Sequence, residues 1–293
     1  MPNRPERSPA DPLDRLSGLL SRFRVHAHLF HQGPLCGISR FPAVPGRGFL
    51  HVMRRGTLEL RHGARSGAPR KVHVSEPSLL FYPRPLDHVF HNPPVEGSDF
   101  VCAELEFDGG AANPLVRGLP AFVLLPLASV PGLEASLQLL FTETERVRCG
   151  QRLLADRLFE VVLIQLLRWL IDHPAEAGVQ PGLISGLGDA RLAPVLVGIH
   201  DEPGHAWSLE EMARRAGMSR SAFAAHFRAV VGETPAAYLA DWRLTLVQSA
   251  LREGRPLKQI ADELGYAGSS AMSRLFSQRL GLSPRQWLAQ APA

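Results

Sequence analysis

The last hundred residues of the chain repeat themselves. The segments SLEEMARRAGMSRSAFAAHFRAVVGETPAAYL (208–239) and PLKQIADELGYAGSSAMSRLFSQRLGLSPRQWL (256–288) superimpose at a spacing of 48–49 residues. Ala213 aligns with Ala261, Gly217 with Gly265, Phe227 with Phe276, Gly232 with Gly281, Pro235 with Pro284 and Tyr238 with Trp287. Chance rarely aligns so many special residue types, so each copy reads as one supersecondary unit. Ser208 followed by Glu211 reads as a capping box. Ala213 and Ala261 are small enough for two helices to cross closely, and Gly217 and Gly265 supply the left-handed backbone of a tight inter-helix turn. Ser219 is expected to cap the next helix, and Ser269 or Ser270 to do so in the second copy. Phe223 and Phe227 lie four apart and turn inward, as do Met272 and Phe276. Between the copies, YLADWRLTLVQSALREG (238–254) is amphipathic and ends at Gly254, the pattern of a rigid connecting helix.

Two helices joined by such a turn expose one face of the second helix, which in a helix-turn-helix lies in the DNA major groove. In the first copy that face carries Arg220, Ser221, Ala224, Ala225 and Arg228. In the second it carries Ser269, Ser270, Ser273 and Arg274, with Gln278 a turn later. Arg reads guanine bidentately, Ser bonds a base edge or phosphate, and Ala touches a thymine methyl. The charge balance permits this partner without demanding it: 32 Lys and Arg against 28 Asp and Glu leave a net +4 and a pI near 9.3.

The rest of the chain has a different texture. Residues 1–10 read as a disordered tail, and 11–23 have helical apolar spacing behind an Asp cap. From about Val25 to Pro126, short apolar stretches separated by Gly, Pro and Asn clusters point to an all-β barrel or sandwich. Helical periodicity returns near Leu133 and is strongest over 153–173, a helix apolar enough to need burial on two sides, against the barrel and a second subunit. A Gly/Pro-rich linker is expected over 176–188. The fold class is therefore α+β, with a sheet domain over 11–175 and an all-α domain over 189–293. The N-terminus lacks the apolar core of a signal peptide. No apolar run reaches 18 residues, FVLLPLASV (122–130) being short and broken by Pro126, so the expected location is cytoplasmic, with no membrane partner. No catalytic arrangement and no phosphate or dinucleotide loop stands out, so a non-enzyme without cofactor is expected.

The stretches GMSRSAFAAHFRAVVGETPAAYL (217–239), WRL (242–244), IADELGYAGSSAMSRLF (260–276) and GLSPRQW (281–287) closely resemble the DNA-binding domain of AraC/XylS-type transcription regulators. That resemblance covers about a third of the chain. It implies two helix-turn-helix units docking in successive major grooves, asymmetric sites about one helical turn (~34 Å) apart, and an N-terminal cupin-like β-barrel that receives a signal. A regulator of this plan is expected to position or block RNA polymerase, and the 153–173 helix is the candidate for homodimer formation. PRPLDHVFHN (83–92) resembles the second cupin motif, with Pro85 in place of the usual Gly. FLHVMRRG (49–56) resembles the first but has Met53 where a metal-binding cupin carries a His, so no metal is assigned.

Cys36, in FHQGPLCGISRF, and Cys102, in DFVCAELEF, resemble the cysteines of a cupin-bearing subgroup, and oxidant input is among those the family uses. Three readings stay open for them: a redox pair, soft-metal ligands with His31, His51 or His88, or a small buried hydrophobe in the case of Cys102. A small-molecule effector held between Phe49, Phe81 and Phe90 is the alternative input. A cupin-type metalloenzyme with a DNA-binding appendage is the competitor from another class. Cys149 lies among arginines in RVRCGQR.

Overall fold

The computed structural model describes residues 13–290; the tail expected over 1–10 lies outside them. The chain divides into two compact units. One is formed by residues 23–188, and the other joins 189–290 with the N-terminal segment 13–22.

The first unit holds nine strands. They are β1 (Val25–Leu35), β2 (Ile38–Phe41), β3 (Arg47–Arg55), β4 (Leu58–His62), β5 (Lys71–Val74), β6 (Ser78–Tyr82), β7 (His88–His91), β8 (Ser98–Phe107) and β9 (Val123–Pro126). They form an antiparallel five-stranded sheet, β1-β8-β3-β6-β9, and a four-stranded one, β2-β7-β4-β5. Strand alternation sends Phe49, Met53, Leu80, Tyr82, Phe100 and Cys102 of the first sheet into one apolar interior with Leu58, Leu60, Val74 and Phe90 of the second. Phe81, one residue off this phase, is buried on the opposite face of its sheet, so it does not line the interior with Phe49 and Phe90 as expected.

The outer face of the larger sheet is also buried. Helix α4 (Gln151–Asp172) lies along β1 and packs on α3 (Leu133–Thr144) and α5 (Leu183–Gly188); α2 (Pro114–Gly118) packs on α5. On edge strand β1, next to a register shift between Leu29 and His31, the Leu29 amide donates to Asp156 of α4 at 2.7 Å. Phe159, Val162, Leu163, Leu166 and Leu170 face inward, while Leu153, Leu154 and Val161 stay 42–63% exposed. The segment expected as a linker is structured at its end, where α5 buries Leu183, Ile184 and Leu187. Gly182 precedes a true helix there, and Gly186 and Gly188 lie within it, because three apolar side chains outweigh the glycine content.

In the second unit α1 (Ser17–Leu20) is only four residues long, with Asp14 accepting from the Leu16 and Ser17 amides. It buries Leu16 and Leu19 and packs on α6 (Ala193–Asp201), so this segment joins the helical unit and not the sheet unit. The two repeats fold as α7 (Leu209–Arg215) with α8 (Arg220–Val231), and α10 (Leu257–Glu263) with α11 (Ser269–Leu280). Helix α9 (Pro235–Arg252) connects them and α12 (Pro284–Gln290) closes the second. Gly217 and Gly265 have φ of +62° and +71°, the left-handed turn expected. Phe223, Phe227, Met272 and Phe276 are fully buried.

The caps differ between the copies. Ser208, Ser219 and Thr234 accept from the amides of Glu211, Ala222 and Ala237. Glu211 does not complete the expected capping box, because its carboxylate binds His205 Nε2 at 2.9 Å instead. Helix α11 starts from Gly268 with no side-chain cap, so neither Ser269 nor Ser270 caps it. Ser219→Ala should therefore cost about 1 kcal/mol of helical-unit stability in urea unfolding, whereas Ser269→Ala should stay within about 0.5 kcal/mol of wild type.

Candidate nucleic-acid interface and sheet interior

Each reading helix presents an exposed stripe at helical spacing. On α8 it is Ser221, Ala225 and Arg228, with Arg220 at the helix start; on α11 it is Ser270, Arg274 and Gln278. Ser269 and Ser273 are half-buried at the margin. Ala224 is half-buried too, beside a cavity of about 420 Å³ lined by Trp207, Leu239, Tyr266 and Leu275. It stands one turn from both Arg220 and Arg228 on α8, at the edge of the exposed stripe.

The arginines of this unit fall into two groups. Arg279 pairs with Asp241 at 3.1 Å, Arg255 with Glu263, and Arg252 stands over Trp287 at 4.7 Å, all three tying helices together. Arg220, Arg228 and Arg274 are exposed and form no ion pair or hydrogen bond among the described residues. An unpaired, solvated guanidinium loses no internal partner on meeting a phosphate or a guanine edge. Arg214, also exposed beside Ser219 and Arg220 at the α7–α8 turn, is a cation that sequence reasoning missed; its place at the end of a short helix gave no signal of its own.

The sheet interior holds a polar network inside its aromatic lining. His51 and His88 meet Nε2 to Nε2 at 2.9 Å, both fully buried. Leu86 O can only accept, so His88 Nδ1, at 2.8 Å, carries the proton and its Nε2 is bare. His51 Nε2–H therefore donates, leaving a bare His51 Nδ1 with no hydrogen-bond partner among the described residues. By the same logic His62 Nδ1 donates to Pro69 O, and Tyr82 O–H donates to His62 Nε2 at 3.0 Å. The rings of Tyr82 and Phe41 stack on His88 at 4.0 and 5.0 Å. Burial, helped by the charges of His88 and His31, holds His51 well below the ordinary histidine range, and burial lowers His88 to about 4. Both are neutral at pH 7. His62 and Tyr82 escaped sequence reasoning because the strand pairing that joins them is invisible in spacing alone.

The donor set does not suit a cupin metal centre. Met53 stands at the third ligand position, the two imidazoles satisfy each other, and no group of three His, Cys, Asp or Glu side chains among the described residues is placed to hold a metal ion. Cys102 is fully buried, opposite His31 on one side and His51 on the other, and burial pushes its thiol well up. Cys36 is exposed in the β1–β2 turn, its Sγ 3.9 Å from Val95 O. The structure sets these two cysteines apart. Leu35 pairs with Ser98, so Cys36 lies beside Gly97, five residues along β8 from Cys102. That is roughly 17 Å at ~3.4 Å per residue, against about 7 Å for a disulfide, so the expected direct pair is not formed in this conformation. Cys149 is exposed.

Residues 14–172 match a cupin family and residues 212–290 a helix-turn-helix domain family. A putative AraC-like transcription regulator of Streptomyces lividans is 34% identical, the match covering 94% of this chain and 96% of the relative. One of Streptomyces antibioticus is 37% identical over 59% of this chain and 58% of the relative. The HTH-type transcriptional regulator AlkR of Acinetobacter baylyi is 32% identical over 61% and 59%.

The neutral histidines set a pH dependence. An unfolded chain takes up protons on histidine near pH 6.5, whereas folded His88 resists until about 4, so stability of the sheet unit falls as pH drops through this window. Between pH 7.5 and 5 the loss from His88 alone should be about 2 kcal/mol. Thermal unfolding across that range should show it, and His88→Phe should flatten the profile.

Proposed function

Because the chain belongs to the AraC-like transcription regulators, as a DNA-binding regulator with a cupin-like domain, we propose that α8 and α11 dock in successive major grooves and that the sheet unit receives the signal controlling them. The observation that carries the docking mode is the set of unpaired guanidiniums, Arg220, Arg228 and Arg274, on the outward faces of two repeated helix pairs. Arg274, with Ser270 and Gln278, carries the second reading face, whereas the first leans on its two arginines because Ala225 can offer only apolar contact. The regulator acts in the cytoplasm by recruiting or blocking RNA polymerase.

For the input, the interior favours a small molecule. Phe30, 41% exposed, makes edge contacts with Phe41, Phe49 and His51 at 6.0–6.1 Å, so the aromatic lining reaches the surface. The bare His51 Nδ1 is an acceptor in want of a donor. A small apolar or aromatic compound with one hydrogen-bond donor suits that arrangement. The second reading is an oxidant acting at Cys36, the accessible thiol; recruiting Cys102 to it requires the β1–β8 ladder to open. Self-association would use Leu154 and Val161, seven residues apart on one exposed face of α4.

Footprinting on DNA flanking its own gene should protect two adjacent major grooves. Arg274→Ala should cost about 1–3 kcal/mol and relax base preference at one position; an arginine that contacts only phosphate should instead lower the salt slope by about one. Should His51→Phe leave induction intact while Cys36→Ser abolishes an oxidant response, the oxidant reading replaces the small-molecule one. Leu154→Glu with Val161→Glu should give a monomer by sedimentation if α4 is the dimer face.

A further inference from the structure

A single connecting helix fixes the distance between two reading helices, but not by itself their relative twist, since each pair can rock about the end of α9. The structure holds a second link. The loop Pro203–Gly204–His205 leads into α7 and so belongs to the first helix pair, yet it lies against the turn of the second. A Cβ on Gly204 would come 2.2 Å from Glu263 O, and one on Gly265 would come 2.2 Å from Gly204 O. Only two glycines allow main chains to approach this closely.

Arg243, in the middle of α9, holds the loop there. Its Nε donates to Pro203 O at 2.6 Å and its Nη2 to His205 O at 2.8 Å, while the guanidinium stands 5.9 Å from the ring centre of Tyr266, the residue after the second turn glycine. His205 is itself held by Glu211 of α7. One planar fork thus ties the first pair, the connecting helix and the second turn together. A lysine cannot reproduce it, because an ammonium is a point donor and not a two-pronged one.

We propose that Arg243 is a positioning residue for DNA recognition: by clamping the 203–205 loop against the Gly265 turn it fixes the twist between α8 and α11, and so makes the protein select one spacing between its two groove sites. This rests on the two-groove reading above. Inserting one base pair between the sites moves one of them by about 3.4 Å and turns it by about 35°. A locked pair of reading helices cannot follow; an unlocked pair can.

The test uses the full chain. Wild type first selects sites from a random duplex library, and the recovered two-part site is remade with one base pair inserted or removed between its halves. Wild type should bind the altered spacings at least tenfold more weakly than the native one. Arg243→Lys should bind the native spacing several-fold more weakly and lose most of that discrimination, the ratio falling to threefold or less. Gly204→Ala, which wedges the loop away from the turn, should do the same with the arginine intact. Melting temperatures of both variants report folding, and a general loss of fold lowers binding to all spacings alike without changing their ratio. A variant that keeps the wild-type ratio, whatever its absolute affinity, overturns the clamp alone. A wild type that selects no two-part site overturns the two-groove reading, and the clamp with it.

Discussion

Helix α9 is buried along most of its length, and it serves two clusters at once. Its first half gives Tyr238 and Trp242 to the leading helix pair: Tyr238 meets Phe227 edge-on at 5.7 Å and hydrogen-bonds His200 of α6 at 2.6 Å, while Trp242 lies 4.2 Å from the His200 ring. Its second half buries Val247, Ala250 and Leu251, and Arg252 reaches over Trp287 of α12. Neither pair of short helices would bury enough apolar surface to stand alone. Sharing one helix makes a single core of two repeats, so the outward faces of α8 and α11 are free of any structural duty. That freedom leaves three arginines available to a polyanion.

In the sheet unit the controlling constraint is satisfaction of buried polar groups. Four side chains that could each be costly in an apolar interior, His51, His62, Tyr82 and His88, are arranged so that two main-chain carbonyls, Leu86 and Pro69, dictate the tautomers of the rest. The arithmetic leaves one acceptor over, on His51. The network draws on β3, β4, β6 and β7, so both sheets share in its satisfaction.

Legibility followed the range of the interactions. The repeat, its turn glycines and its inward aromatics were readable because each depends on residues three to five apart on one helix. The two-domain plan and the strand-rich texture were readable for the same reason. The errors came where a distant partner decides. Glu211 left its capping box because His205 offered a closer ligand, and Gly268 takes the cap position of α11, so the serines that looked like its cap fall inside the helix. Phe81 differs from Phe49 by strand phase, which composition does not reveal. Cys36 and Cys102 looked like a pair on one barrel, but antiparallel register places them at different heights on it. The tie between Arg243 and the 203–205 carbonyls has no sequence pattern at all, since it joins a helix to a loop 40 residues away.

Helix α1 sits in the helical unit although it precedes the sheet unit in the chain, and this makes the latter an insertion. The nascent polypeptide emits Leu16 and Leu19 first, then the whole sheet unit, and only afterwards α6, the surface those leucines cover. The helical unit is thus a discontinuous domain, tethered to its guest by two covalent crossings, at 22–23 and 188–189. Of the two crossings, one leads into α6 and the other leaves the helix packed against it. A fragment cut at 189 would carry both reading helices but would be severed from either tether and left with an uncovered leucine-sized patch on α6.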